Sequence, residues 1–244
     1  MQRWLSAALA VLLLGPGLVQ ASSPVPTESR QMLLSVSGGW NETRTSVRRF
    51  ERDGAGSPWR EVGAALAGSL GRSGLAWGAR PTGLDGPIKK EGDGRSPAGV
   101  FPLREATGYA KTAPPGTRLP YREATATLRC VDDPRSPHYN RLVDEAATKK
   151  DWSSAEDMRR RDDLYRLVVW VGLNDAPPRP DAGSCIFLHF RDREDSVTEG
   201  CTAFDLGVME ELLAWLDPAL RPVLVQLPAP ARARLAADWG LPGR

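Results

Sequence analysis

The chain has few of the residues that usually build metal sites. Its 244 residues include only three cysteines and two histidines, and they form no Cys-x-x-Cys or His-x-x-x-His pair. We therefore predict no metal site and no cofactor. An excess of one charge is also lacking, since 32 basic residues face 30 acidic ones for a net charge of +2. Because the charges nearly cancel, we expect no nucleic-acid partner.

Long apolar runs are lacking too. The run at residues 5–14 is shorter than the roughly 20 apolar residues that a membrane-spanning helix needs. Arg3 precedes it and Val19-Gln20-Ala21 follows it, which is the pattern of a secretory signal peptide with its cleavage site. We expect residues 1–21 to be that peptide and the mature chain to have no membrane span. Secretion to the periplasm or cell envelope follows from this prediction.

The rest of the chain suits one domain. Residues 22–30 are polar and contain proline, so we expect a short linker before a single catalytic domain at 31–244. The glycine-rich stretch 70–78 lacks the Gly-Lys-Ser/Thr of a phosphate-binding loop, and it predicts a bent strand and turn.

Strand patterns outnumber helix patterns. Apolar alternation or β-branched runs predict strands at 31–37, 46–51, 59–62, 165–173, 185–190 and 222–227. A capping pattern predicts a helix at 153–164. Leucines spaced by three and four predict a second helix after Asp205. A third helix is predicted at 230–239, with a proline as its first residue. Strands with inserted helices predict an α+β domain that is mainly β.

Cys201 and His189 are the strongest candidates for chemistry. A thiol attacks carbonyls as a thiolate, and a nearby imidazole is the usual group that removes its proton. Cys201 follows Gly200 in a polar turn ahead of the predicted helix, so the helix N-terminus would favour the thiolate. Backbone N–H groups of that turn, from Thr198 to Thr202, would bind an oxyanion. The other histidine, His138, is the second candidate for the base.

Three cysteines in an exported chain leave at least one unpaired. If Cys201 is the free nucleophile, Cys130 and Cys185 form a disulfide or remain two buried thiols. The spacing alone leaves both arrangements open.

Several ordered motifs resemble the L,D-transpeptidase family (YkuD-type), enzymes that remodel bacterial peptidoglycan. His189 is followed by Thr198-Glu199-Gly200-Cys201, as that family's histidine is followed by its Ser/Thr-x-Gly-Cys turn. Pro97-Ala98-Gly99-Val100-Phe101 matches the family's Pro-x-Gly-x-Phe segment. Further segments resemble one branch of the family, and they are 90–97, 130–133, 152–158 and 183–189. The resemblance covers about residues 70–216.

The resemblance implies a β-sandwich with inserted helices and a cysteine-dependent acyl transfer. Cys201 would form a thioester with a peptidoglycan stem peptide, and an amine of a second stem peptide would complete a cross-link. If water accepts the acyl group, the enzyme is an L,D-carboxypeptidase. If the bond broken joins a lipoprotein to peptidoglycan, it is a hydrolase of that bond.

The chain also departs from the family pattern. Ala203 stands where many members have Arg or Asn, so Arg191 or Arg95 is a candidate to bind the stem-peptide carboxylate instead. Phe190 and Glu199 replace a common glycine and histidine. The departure at Ala203 keeps open a different class of function, a non-catalytic secreted module that binds the cell wall.

Overall fold

The structure is a computed structural model that describes residues 24–175 and 177–243. The predicted signal peptide lies outside these residues. The strands in chain order are β1 (Gln31–Ser37), β2 (Arg44–Glu51), β3 (Arg60–Ser69), β4 (Leu75–Trp77), β5 (Ser96–Gly108), β6 (Tyr121–Glu123), β7 (Leu128–Val131), β8 (Arg141–Asp144), β9 (Ala155–Asp157), β10 (Leu167–Val171), β11 (Phe187–Phe190), β12 (Thr202–Phe204) and β13 (Val223–Pro228). The helices in the described ranges are α1 (Leu206–Trp215) and α2 (Ala229–Leu235), with a short 3-10 turn at Pro218–Leu220.

Eight strands form a closed barrel, so the predicted α+β sandwich with inserted helices is wrong, and the part of the chain that the structure describes is mainly β. The order around the barrel is β10-β11-β12-β3-β2-β1-β13-β5, and β5 pairs again with β10. The long strand β5 causes the closure. Its residues 99–102 pair with β13, and its residues 103–108 pair with β10. A sandwich would leave those two neighbours in separate sheets.

Helix α1 fills one end of the barrel. Leucines of this helix were expected on one face, and Met209, Leu212 and Leu213 are completely buried there. They pack with inward-facing strand residues such as Leu33 and Phe204. This packing confirms the amphipathic pattern and gives the barrel a solid apolar core.

The barrel also holds a hydrogen-bonded polar group around Gln226. Its Oε1 accepts from the hydroxyls of Ser35, at 3.0 Å, and Thr202, at 2.9 Å. Its Nε2 donates to the carbonyl of Pro97 at 2.9 Å. These groups are buried, and each hydrogen bond compensates for the loss of water.

A small antiparallel sheet, β8-β7-β9, covers the outer face of β10 and β11. Its last strand falls within 153–164, so the helix predicted there is wrong. The physical reason is that Ser153 does not cap a helix. Its N–H and hydroxyl both donate to Asp133, at 2.8 and 2.7 Å, and Ala155–Asp157 then pairs with β7.

The segment expected to be a linker is packed against the barrel where the structure describes it. Val25 is buried in the apolar cluster beneath α2, and the Arg30 N–H donates to the carbonyl of Leu220 at 2.7 Å. The longest helix in the described ranges has ten residues, and none there could cross a bilayer.

Candidate functional site

A cleft of about 460 Å³ lies between the barrel and the small sheet. The barrel side consists of the segment before and along β11 and the turn before β12. The sheet side consists of Asp132 and Glu156, and the segment from Arg160 to Tyr165 closes one end. The lining residues are Lys89, Glu91, Gly92, Asp132, Glu156, Arg160, Leu164, Tyr165, Ser184, Cys185, Ile186, His189, Val197, Thr198, Glu199, Gly200 and Cys201.

Cys201 lies in the wall of this cleft as a free, buried thiol. Its Sγ accepts a hydrogen bond from the Phe187 N–H at 3.3 Å, and the thiol donates to the Cys185 carbonyl oxygen at 3.7 Å. Two hydroxyls fix its own carbonyl, those of Thr198 at 2.6 Å and Ser96 at 2.7 Å. The nucleophile candidate is therefore held by hydrogen bonds at its sulfur and at its own carbonyl oxygen.

Gly200 shapes the turn that presents the thiol. Its φ is +147°, and a Cβ there would lie 3.1 Å from the Arg95 carbonyl oxygen and 3.2 Å from Cδ1 of Ile186. A side chain would strain this backbone and crowd its neighbours. The Gly200 N–H donates to the Thr198 hydroxyl at 3.2 Å. The Gly200 N–H is thus occupied by Thr198, and the sulfur accepts its hydrogen bond from the Phe187 N–H instead.

Cys201 is not at a helix N-terminus, and this expectation is wrong. It precedes β12, and α1 begins only at Leu206. Asp205 makes no side-chain capping bond because its carboxylate pairs with Arg191 at 2.8 Å. No helix end therefore lowers the pKa of the thiol. Burial instead raises the pKa of Cys201 to about 12.

His189 lines the same cleft, two positions along β11 from Phe187. Its Nδ1 lies 2.6 Å from the carbonyl oxygen of Phe190, and its ring packs edge-on against Tyr165 at 5.2 Å. The hydrogen-bond partners of the thiol given above do not include His189. Burial lowers the pKa of His189 to about 4. The thiol and the imidazole are thus both neutral near pH 7, rather than an ion pair.

The two arginines expected to bind substrate are used elsewhere. Arg191 is buried, with Nε on Asp205 at 2.8 Å and Nη1 on Ser69 at 2.9 Å. Arg95 donates to the carbonyls of Trp40 and Leu75 and to Asn41, outside the cleft lining. Both guanidinium groups hold loops in place. The arginine that does line the cleft is Arg160.

Two other residues proposed from the sequence also point away from the cleft. Thr202 directs its hydroxyl into the barrel toward Gln226, and it is not a lining residue. His138, the second candidate for the base, lies 3.7 Å from Asp151 and packs on Trp152. It does not line the cleft.

Sequence reasoning missed Tyr165 and Glu156. The Tyr165 hydroxyl donates to Glu156 Oε2 at 2.5 Å. Removal from water raises the pKa of Glu156 to about 7, although the bond from Tyr165 and the charge of Arg160 oppose the rise. Glu156 is part of the 152–158 segment that resembles the family, so a signal was present. It was assigned to a helix cap instead.

A disulfide joins the two walls of the cleft. Cys130 on β7 is bonded to Cys185, which directly precedes β11, with a Cα–Cα distance of 6.0 Å. The sequence had left this pairing open. Asn140 adds a second connection, since its side-chain oxygen accepts from the Cys185 N–H at 3.0 Å. Cys185, whose carbonyl oxygen contacts the thiol of Cys201, is thereby connected to the small sheet.

Comparison of the chain with protein-family models, with curated proteins and with solved structures finds no match.

Proposed function

We propose that this protein is a cysteine-dependent acyltransferase of peptidoglycan stem peptides, an L,D-transpeptidase. One observation carries the proposal. The segments that resemble the family are up to about a hundred residues apart, yet most supply lining residues to one cleft. They contribute Glu91, Asp132, Glu156, Ser184 and His189 around the free thiol of Cys201.

The chemistry begins with attack of Sγ of Cys201 on the stem-peptide carbonyl. The Phe187 N–H, 3.3 Å from Sγ, donates to the reacting sulfur. The thiol proton goes to a base in the cleft, the amine of the leaving residue departs, and a thioester remains. His189 is the base that the sequence predicts. Attack by an amine then gives a cross-link, and attack by water gives the carboxypeptidase or hydrolase reaction.

The cleft has the size and charge for such a substrate. Its volume falls in the range of small-molecule and peptide sites. Arg160 is the guanidinium in the lining, and its Nε and Nη2 bind Asp162 at 2.8 and 2.5 Å. Lys89 is also paired, with Asp93, but its side chain is only 3 % exposed against 37 % for Arg160. We therefore assign the substrate carboxylate to Arg160, in a mature protein exported to the periplasm or cell envelope.

Intact-protein mass spectrometry tests the nucleophile. The protein is incubated with tetrapeptide muropeptides or with a carbapenem, which acylates thiols of this kind. We expect an adduct on the wild type and none on Cys201→Ala. Thr202→Ser is a matched control, because the hydroxyl of Thr202 bonds Gln226 inside the barrel. Cys201 should be acylated normally in this variant. An adduct that persists in Cys201→Ala would overturn the assignment.

A second candidate is a secreted module that binds the cell wall without turnover. The observation in its favour is the thiol pKa of about 12, since a neutral buried thiol reacts slowly. This candidate predicts that isolated peptidoglycan sediments the protein equally well with Cys201 or Ala at that position. It also predicts no adduct from either reagent while the thiol is shown to be free.

A further inference from the structure

The two basic side chains that line the cleft each have an acidic partner. Nζ of Lys89 lies 2.5 Å from Asp93, and Nη2 of Arg160 lies 2.5 Å from Asp162. Neither Asp93 nor Asp162 lines the cleft. The positive charges of the cleft are therefore balanced by carboxylates outside its lining.

The carboxylates that line the cleft are less fully compensated. Glu199 pairs with Arg72 at 2.7 Å. Within residues 24–175 and 177–243, the other three lining carboxylates, Glu91, Asp132 and Glu156, form no salt bridge. An excess of negative charge thus faces the cleft, and the low-dielectric walls of a cleft concentrate the field of such charges.

Neutral hydroxyl groups, rather than cations, bind two of these carboxylates. Glu91 Oε2 accepts from the hydroxyls of Tyr139 and Ser184, the second at 2.7 Å. Glu156 Oε2 accepts from the Tyr165 hydroxyl at 2.5 Å. A hydroxyl donor positions a carboxylate without cancelling its charge.

Asp132 has a carboxylate oxygen that lacks even a neutral donor. Its Oδ1 is buried and has no hydrogen-bond partner among the residues that the structure describes. A buried oxygen in that condition has lost its water without a replacement, which costs free energy. A donor supplied by a bound ligand would remove this cost.

We propose that Glu91, Asp132 and Glu156 form a subsite for a primary ammonium group of the substrate, next to the carboxylate that Arg160 binds. This inference rests on the proposed function, because it assigns a part of the stem peptide to the sheet wall. An ammonium group has three N–H donors, which suits oxygens of separate carboxylates. A metal ion fits less well, since no three acidic, histidine or cysteine side chains in the described ranges converge as its ligands.

The electrostatic effects of these groups on one another agree with a shared subsite. Asp132 and Glu91 raise the pKa of Glu156, and Arg160 lowers it. Glu156 in turn raises the pKa of Arg160. A substrate that carries an ammonium and a carboxylate close together would match both signs of charge.

The bound amine is a recognition group and not the attacking nucleophile. Neighbouring carboxylates stabilise the protonated form of an amine. A protonated amine has no lone pair with which to attack a thioester. The ammonium therefore belongs to the stem peptide whose carbonyl Cys201 attacks.

Charged and neutral alkylating reagents measure the field at Cys201 without a peptidoglycan substrate. 2-Bromoethylamine carries a primary ammonium, and iodoacetamide is neutral. Both rates are followed by intact mass at about pH 8, above the pKa of Glu156, which is about 7. Each rate is divided by that of N-acetylcysteine amide, and the ratio of the two results is the cation preference. Because the same thiol reacts in both cases, this ratio cancels changes in its own reactivity.

We expect a cation preference of about 10-fold or more in the wild type. Asp132→Asn is the sharpest variant, because it removes a charge from a side chain whose buried oxygen has no hydrogen-bond partner among the described residues. Asp132→Asn and Glu156→Gln should each lower the preference by about 3- to 10-fold. If Glu156→Gln does not fold, as judged by its thermal transition, Asp132→Asn decides alone.

Asp157→Asn is the matched control. It neutralises the exposed carboxylate next to Glu156 on β9, which pairs with Arg129 at 3.2 Å, and it should keep the wild-type preference. A wild-type preference near one would overturn the proposal. An unchanged preference in Asp132→Asn would also overturn it, as would an equal fall in Asp157→Asn.

A pair of muropeptides tests the substrate itself. A tetrapeptide muropeptide with a free side-chain amine is compared with the same compound after N-acetylation, which removes the charge. Acetylation should slow formation of the Cys201 adduct by about 10-fold or more in the wild type and much less in Asp132→Asn. Equal rates for the two compounds in the wild type would overturn the proposal.

Failure of the proposed function gives a different pattern. The cation preference would still fall in Asp132→Asn, but neither muropeptide nor a carbapenem would give an adduct on Cys201. In that case the acyl-transfer function fails and the ammonium subsite stands.

Discussion

The barrel and the small sheet, which form the two walls of the cleft, are stabilised by different interactions. The barrel has strands of up to 13 residues around an apolar core plugged by α1. The sheet has strands of three or four residues, and its buried apolar side chains are Leu128, Cys130, Val131 and Val143. Besides this small apolar contact, the sheet is held by the Cys130–Cys185 disulfide and by the salt bridges of Arg129 with Glu145 and Asp157.

This difference separates the parts of the candidate site. The barrel wall carries Cys201 and His189, on strands or turns fixed by the closed sheet. The sheet wall carries Glu156, whose position depends on one cross-link and on local charge pairs. Segments with few apolar contacts open more readily than cores. Substitutions that destabilise the small sheet should therefore reduce the reactivity of the candidate site before they unfold the barrel.

The largest effect is expected from Leu212→Ala in the plug of the barrel. Leu212 is completely buried, and its loss should lower the free energy of unfolding by about 2–5 kcal/mol. Urea unfolding followed by tryptophan fluorescence measures this. Ala214→Gly on the exposed side of α1 should cost only about 1 kcal/mol. Equal losses from the two variants would contradict a plug role for the helix.

Replacing both Cys130 and Cys185 by serine should reduce stability by about 2–4 kcal/mol. The bridge closes a loop of 55 residues, and most of the loss should be local to the sheet. Hydrogen exchange should become faster in β7, β8 and β9, while β1 and β13 keep their protection. Acylation of Cys201 should fall in the same variant. Uniformly faster exchange across the barrel would show that the two walls unfold together.

The smallest net effect concerns pH, because the two walls contribute with opposite signs over overlapping pH ranges. His189 has a pKa of about 4 in the fold against an ordinary 6.5, so its contribution to stability is lost as pH falls from 6.5 toward 4. Glu156 has a pKa of about 7 against an ordinary 4.5, so its contribution is lost as pH rises from 4.5 toward 7.

Urea midpoints from about pH 4 to pH 8 check these directions. The two ranges overlap between about pH 4.5 and 6.5, so there His189→Gln should make the slope of stability against pH more negative and Glu156→Gln should make it more positive. Asp157→Asn is the control. The assignment fails if both variants change this slope in the same direction.

The sequence predicted the regular parts of the barrel well. Strand β1 was expected at 31–37 and begins and ends there, and the apolar face of α1 followed from leucine spacing. Such patterns report burial on one side of one element. They carry no information on which strands pair across the sheet, so the closure through β5 and β10 was missed and a sandwich was expected.

The cleft shows the same limit. The segments around Cys201 and His189 were identified, but the uses of Arg191 and Arg95 depend on Asp205, Ser69 and distant carbonyls that no local pattern reveals. Ser153 was interpreted as a helix cap because serine often has that role. The same hydroxyl can also bond a carboxylate that is distant in sequence. Its bond to Asp133 turned the segment into a strand and brought Glu156 to the cleft.

The parallel pairing of β1 with β13 has a consequence for how the chain acquires its structure. Ser35 and Gln226, which bond across this pair, are 191 residues apart. The barrel therefore cannot close until nearly the whole chain is present. Contacts of such long range make folding slow, and the unpaired edges of β1 and β5 remain open to association with other chains during that time. Refolding yield should accordingly fall with protein concentration.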